Sequence, residues 1–229
     1  MISSTAILSS SDISKLTHQK NSLTTKVYEE LLDRFMDRKL IPGQIINRRE
    51  LAKELGVSVA PVLEALVQLE MDGFFESVPR KGTIVSPVKE EDAYAQLLIR
   101  ESLETTAVRI YCGKPVRTLY EEFKEFAQWM DEMSSAGKEL SLEHTKAEIR
   151  FHASLVNLCN MPMFTREFIR SVRIGVFSNI NRIQGGYSER QSHVELLDKL
   201  TTDNKEDAIE AIKYHLWSGK PIRKLQDFF

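Results

Sequence analysis

Four residues in the second half of the chain have the chemistry of a cation site. Glu148 and His152 are four apart, the spacing that places two side chains on one face of a helix. His193 and His215 fall in two later helical runs, and inward side chains of different helices in a bundle can converge on one ion. Three imidazoles and one carboxylate suit Zn²⁺ and other first-row divalent metals. On spacing alone, scattered histidines are more often core or surface residues than ligands. His144 and His18 stand outside the pattern and read as solvent-facing. Arg100 is a separate candidate. Its planar fork matches the two oxygens of a small carboxylate, whereas the plainer reading is a surface salt bridge to Glu104, four residues on.

The elements that must position these residues are helices. From Asp92 to Phe229 no strand-like alternation occurs. Helical patterns cover about 90–112, 116–134, 142–160, 162–184, 188–201 and 205–224. Breaks at Gly113-Lys114-Pro115, 134–137, Met161-Pro162, Gly185-Gly186 and Asp203-Asn204 separate them. This predicts a six-helix bundle. Cys112 and Cys159 sit in apolar stretches and read as buried free thiols.

The first half has a different organisation. Leu23, Val27, Leu31, Leu32 and Phe35 recur at helical spacing, predicting a helix over about 24–38. Asn47 opens a second helix that Gly56 ends, and Ser58 caps a third with Val62, Leu66 and Leu69 on its buried face. Apolar runs at 74–79 and 82–85 flank Arg80-Lys81-Gly82, a hairpin with a basic tip. Gln44-Ile45-Ile46 is a short extended piece able to pair with it. Helix, tight turn, helix and hairpin is the geometry that lays the second helix in a DNA groove with a wing beside it.

Pro42-Gly43, Arg49-Glu50-Leu51-Ala52, Leu55-Gly56-Val57-Ser58, Pro61-Val62, Glu64-Ala65-Leu66, Leu69-Glu70, Gly73 and Gly82 together resemble the DNA-binding domain of the GntR family of bacterial transcription regulators, over about 23–88. The second half, through Arg100-Glu101-Ser102-Leu103-Glu104, Phe151-His152, Asn160, His193 and 208–216, is similar to the all-helical FCD-type domain of the FadR subgroup. The resemblance implies a mainly α chain in three parts: a flexible arm over 1–21, a winged helix-turn-helix over 22–88, and an effector-binding and dimerisation domain over 89–229. It implies a cytoplasmic homodimer on a double-stranded DNA operator. Arg48, Arg49, Ser58, Val59, Ala60, Leu63, Arg80, Lys81 and Gly82 are its candidate DNA-contacting positions. In the FCD group an Asp four residues before a His joins two later His around a metal. Glu148, His152, His193 and His215 match those positions, with Glu where Asp is usual. Related domains bind organic acids beside the metal, which implies a small carboxylic-acid effector at Arg100.

One departure bears on DNA. The family usually has Arg after the capping Ser and again after Pro-Val; here Val59 and Leu63 stand there, and with Val67 they form an apolar stripe. Such side chains can touch thymine methyls but cannot donate to guanine or phosphate. Two readings follow: a regulator with an altered, T-rich operator preference, or a winged helix that uses this face for a protein partner, its metal purely structural.

Composition narrows the classes. The 229 residues carry a net charge of −2, so no global field draws the chain to nucleic acid. Over 22–88, nine Lys and Arg face ten Asp and Glu, leaving phosphate neutralisation to Arg48, Arg49, Lys53, Arg80 and Lys81. No run of about 18 apolar residues is present, which argues against a membrane span. There is no HExxH, serine-nucleophile or phosphate-loop motif, so a sensor, not an enzyme, is expected.

Overall fold

The computed structural model describes residues 6–17, 22–37, 39–87, 90–138, 141–177 and 191–218. Helix α1 spans Ser10–Thr17 and α2 spans Leu23–Met36. Ser22 caps α2 by accepting from the Thr25 N–H, and Val27, Leu31, Leu32 and Phe35 form its buried face. Helices α3 (Arg48–Glu54) and α4 (Val59–Met71) follow, with Gly56 at φ +65° in the tight turn between them, a backbone state that glycine adopts without a Cβ clash. The Asn47 side chain accepts from the Arg49 and Glu50 N–H groups. Strands β1 (Phe75–Val78) and β2 (Gly82–Val85) form the antiparallel wing. The segment before α3 joins it as expected: Ile46 N–H donates to Thr83 O and Val85 N–H to Gln44 O, each at 2.9 Å. Phe74 and Phe75 of the wing pack on Phe35 of α2, with ring centroids 5.5 and 6.3 Å apart.

The second half is helical: α5 (Glu90–Tyr111), α6 (Lys114–Thr118), α7 (Tyr120–Ser135), α8 (Leu142–Asn157), α9 (Pro162–Phe177), α10 (His193–Lys199) and α11 (Lys205–Trp217). The expected helix over 116–134 is two helices. Gly113, at φ +73°, starts the short α6, and a Cβ there would lie 2.6 Å from both Asp203 Oδ1 and Thr202 O. The predicted continuations over 178–184, 188–190 and 219–224 lie outside the described residues, as does His18. α8 is the central helix, packed against α5, α7 and α9, and it is buried almost all round from Phe151 to Val156. Both cysteines are free thiols; Cys159 is buried and Cys112 half-buried. Among the described residues no helix is long and apolar enough to cross a membrane.

Of the segment expected as a flexible arm, residues 6–17 are described, and they are docked. Ser9 and Asp12 cap the start of α1 reciprocally, the Ser9 N–H donating to Asp12 Oδ2 and the Asp12 N–H to Ser9 Oγ. Leu8 and Ile13 are buried. The Leu8 N–H donates to Ser154 Oγ and its carbonyl accepts from Arg150 Nε, both at 2.9 Å. A Ser- and Thr-rich composition masked a capping box beside two apolar anchors. Leu8→Ala, removing a buried side chain at a typical cost of about 2–5 kcal/mol, should speed amide exchange across residues 8–17 at least about tenfold. Exchange as fast as in an unfolded peptide, with no change on substitution, would restore the arm.

Candidate metal centre and nucleic-acid interface

His152 on α8, His193 at the first turn of α10 and His215 in the last turn of α11 meet in the bundle interior, all three buried. One ring nitrogen from each lies within 4.8 Å of the others. Ring centroids are 5.9 Å apart for His152–His193, 5.3 Å for His152–His215 and 5.0 Å for His193–His215. Local sequence fixes the start of the helix that carries His193. Ser192 and Glu195 form a capping box that sets the start of α10, and Phe151 walls the cluster with its ring 5.1 Å from that of His193. Glu148, one turn before His152, brings Oε1 to 3.1 Å from His193 Nε2 and Oε2 to 3.7 Å from His152 Nε2.

Two carboxylates orient the rings from behind. Glu104 on α5 is buried, with Oε2 2.7 Å from His152 Nδ1. Burial pushes its carboxyl up, but the His152 imidazole and the Arg100 guanidinium pull harder and hold it at about 2. An ionised carboxylate only accepts, so Nδ1 carries the proton and Nε2 turns its lone pair to the cluster. Burial also holds His152 down at about 4, against the pull of Glu104, so the ring is neutral at physiological pH. Asp131 on α7 does the same for His193. Its Oδ1 lies 2.9 Å from Nδ1 and accepts the His193 backbone N–H, while Oδ2 accepts from the Val194 N–H. Burial raises Asp131, but these hydrogen bonds outweigh it and keep the carboxyl below its ordinary range.

The donor set fits a first-row divalent cation. His152 Nε2 is buried without a hydrogen-bond partner among the described residues, and a neutral imidazole held at Nδ1 by a carboxylate is the arrangement that presents Nε2 to a metal. His152, His193 and His215 could bind such an ion, with Glu148 beside them.

Two readings change with the geometry. Arg100 does pair with Glu104, Nε to Oε1 at 2.6 Å, but the pair is no surface bridge, because Glu104 is buried and bonded onward to His152. His144, expected in solvent, is buried, with Nε2 2.8 Å from Ser134 Oγ and 3.9 Å from Glu148 Oε1. It occupies the inward face because it lies one turn before Glu148, so the spacing that selected 148 and 152 also selects 144. Glu104 and Asp131 were missed as orienting groups. Glu104 carried a signal in its i+4 spacing from Arg100, whereas nothing in the sequence ties Asp131 to His193.

In the first half, α3 and α4 form the helix-turn-helix. Ser58 takes the N-cap position of α4, but its hydroxyl makes no capping bond. Val59, Leu63 and Val67 are 38%, 36% and 53% exposed, and Ala60 is exposed beside them. Arg49, Arg80, Lys81 and Gly82 are exposed too, with Arg80 at φ +66° and Gly82 at φ +94° at the tip of the wing. Arg48 instead donates to Thr83 Oγ1 at 2.7 Å, tying α3 to β2.

The chain matches the family of bacterial regulatory proteins, gntR family, over residues 23–85 and the FCD domain over 96–217. It belongs to the gntR family of DNA-binding transcription regulators with a C-terminal FCD domain, and not to a family of enzymes. It is 31% identical over 175 residues to the Nta operon transcriptional regulator of Aminobacter aminovorans, covering 74% of this chain and 79% of that one. It is 25% identical to the probable D-xylose utilization operon transcriptional repressor of Paenarthrobacter nicotinovorans, over 88% of this chain and 89% of the relative. Its fold is similar to that of E. coli McbR/YncC, with a TM-score of 0.65 at 21% identity over 86% of this chain and 94% of that one.

Glu104→Ala should destabilise the bundle by about 3–5 kcal/mol, since it leaves the buried His152 Nδ1–H without its acceptor and the half-buried Arg100 guanidinium without its partner. Urea unfolding measured beside Glu104→Gln, which keeps an acceptor for His152, separates this from simple loss of volume. An unchanged midpoint for the alanine variant would contradict the role given to Glu104.

Proposed function

We propose that this regulator senses a small organic carboxylate through a divalent ion, Zn²⁺ or another first-row metal, held by His152, His193, His215 and Glu148. The observation that carries this is the buried imidazole cluster itself. Three buried imidazole rings, with two of their Nδ1 atoms oriented by carboxylates, contribute nothing to packing that apolar side chains would not supply better. Glu148 in place of the usual Asp is long enough to stand 3.1 Å from His193 Nε2. Bound there, the ion supplies a Lewis-acid anchor for a carboxylate oxygen. Arg100, linked to the cluster through Glu104, supplies the guanidinium for the second.

α8 is the route from this site to DNA. Glu148 and His152 face inward, while Lys146, two residues earlier and so on the opposite side, pairs with Asp33 of α2 at 2.6 Å. Arg173 of α9 approaches Glu29 of the same α2 at 3.4 Å, and Arg170 pairs with Asp72 at 2.9 Å. A ligand that shifts α8 therefore acts on the helix that carries the winged domain, in the cytoplasm where the operator lies. The active form is a homodimer on two half-sites. Ile99 and Ile110, on one face of α5, and Tyr214 on the neighbouring α11 are exposed apolar groups suited to cover one another across the dimer. An ion held by three buried imidazoles would also fit a purely structural role, and the effector measurements decide between the two.

Elemental analysis should find about one divalent ion per chain. His193→Ala or His215→Ala should remove most of it and Glu148→Ala less, because water can replace one carboxylate oxygen while three imidazoles remain. Chelation should lower the melting temperature, since an ion that binds only the folded state stabilises it. Candidate acids should change operator affinity only in metal-loaded protein. Metal loss with no change in operator response leaves a structural ion. Metal-free wild type that melts identically with and without Zn²⁺ removes the site. Light scattering at micromolar concentration should give twice the mass of the chain, and a monomer there would remove the dimer.

A further inference from the structure

The core of the winged domain determines which side of α4 looks outward. Val62, Ala65, Leu66 and Leu69 are buried under α2 and the hairpin. That leaves Val59, Ala60, Leu63 and Val67 on the solvent side, the side that a helix-turn-helix lays in the major groove, with the N-terminal residues of its second helix at the base edges. No Lys or Arg occurs between Lys53 and Arg80. The helix therefore has no guanidinium or ammonium to donate to guanine O6 and N7, the commonest specific contact in that groove. Its acidic side chains are engaged elsewhere: Glu64 accepts from Thr24 Oγ1 at 2.6 Å, and Glu70 accepts the Ser77 N–H and hydroxyl, each at 2.9 Å. Cations are confined to the elements packed beside α4, with Arg49 and Lys53 exposed on α3 and Arg80 and Lys81 on the wing.

An apolar strip flanked by positive charge complements one surface in particular: a major groove lined with methyl groups and bordered by phosphates. We propose that Val59, Ala60 and Leu63 read the C5-methyl groups of thymines in each half-site, while Arg49, Arg80 and Lys81 hold the bordering phosphates. This rests on the chain's membership of a DNA-binding family and adds to it the chemistry of the readout. The methyl is the only apolar group that any base pair shows in the major groove, and only A·T pairs have it, so specificity comes from shape and apolar contact without base-edge hydrogen bonds from a charged side chain. A protein partner on the same strip is the competing occupant. The flanking cations favour DNA, because they match phosphate and have no required counterpart on an apolar protein patch.

The test uses the full-length protein and duplexes selected from random sequence at fixed salt. Each thymine of the selected half-site is then replaced singly by deoxyuridine, which lacks only the C5-methyl. Binding should weaken roughly fourfold at each contacted thymine, the effect of withdrawing one buried methyl, and should not change at the others. Leu63→Ala, a substitution at an exposed position, should abolish the difference between thymine and deoxyuridine at one position and leave the salt dependence as it was, because phosphate contacts are untouched. If specific duplexes are selected but tolerate deoxyuridine throughout, or are defined by guanine contacts, methyl readout is wrong while DNA binding stands. If no duplex is selected over random sequence, the strip serves a protein partner and the DNA reading of this face fails with the proposal.

Discussion

An ionised carboxylate survives inside a helical bundle only when both its oxygens are satisfied and its charge is balanced, and Glu104 meets that condition with two partners from different places. Arg100, one turn earlier on the same helix, takes one oxygen, and His152 of α8 takes the other. The arrangement locks α5 to α8 at one rotation and sets the tautomer of His152. Without it the ring could turn over, and the nitrogen that faces His193 and His215 would carry the proton instead of the lone pair. Asp131 repeats the device from the other side, holding both the His193 ring and the backbone at the start of α10. The cluster depends on these two carboxylates, Glu104 buried and Asp131 half-buried, before it depends on any ion.

α8 gives that constraint its reach. Helical geometry sends residues 144, 148 and 152 inward and places 146 and 150 on the outward side. The inward set makes the His and Glu cluster. The outward set touches the rest of the molecule, Lys146 through Asp33 of the winged domain and Arg150 through the carbonyl of Leu8. The N-terminal segment and the winged domain are thus both seated on the helix whose other face carries the cluster. A small rotation of α8 cannot alter one side and leave the other unchanged, because close-packed interiors do not absorb displacement gradually.

The winged domain separates fold from readout in the same way. Its fold depends on the inward side chains of α2 and α4 and on Phe35, Phe74 and Phe75 where helices meet wing. None of those constrains what the outer side of α4 displays. Val59 and Leu63 are exposed, so the outer side of α4 can display apolar side chains without disturbing the core that sets the architecture. Arg48 shows the reverse case, a cation drawn from the surface into the structure to bond Thr83.

Sequence by itself determined the elements, because their signals are local. The cap at Asn47, the start of α4 after Ser58, the glycine turn at Gly56, the apolar periodicity of α2 and α4 and the basic hairpin tip can each be read within a few residues. So can the pairing of Glu148 with His152 on one helical face, and the three-imidazole set once the family pattern was matched. Only the tertiary structure decided what depends on contacts between distant segments. Asp131 reaches His193 across 62 residues and Glu104 reaches His152 across 48, and no periodicity encodes a hydrogen bond between helices. The same holds for the docked N-terminal segment, whose polar composition reads as solvent-facing until Leu8 finds its place against α8. His144 lies between the two cases: its spacing from Glu148 puts it on the inward face, while its partner Ser134 comes from another helix. Local chemistry sets where a helix starts, stops and turns its apolar side. Which polar side chains end up buried together is settled by the packing of several such helices at once, since a buried polar group is tolerated only where a partner from another element meets it.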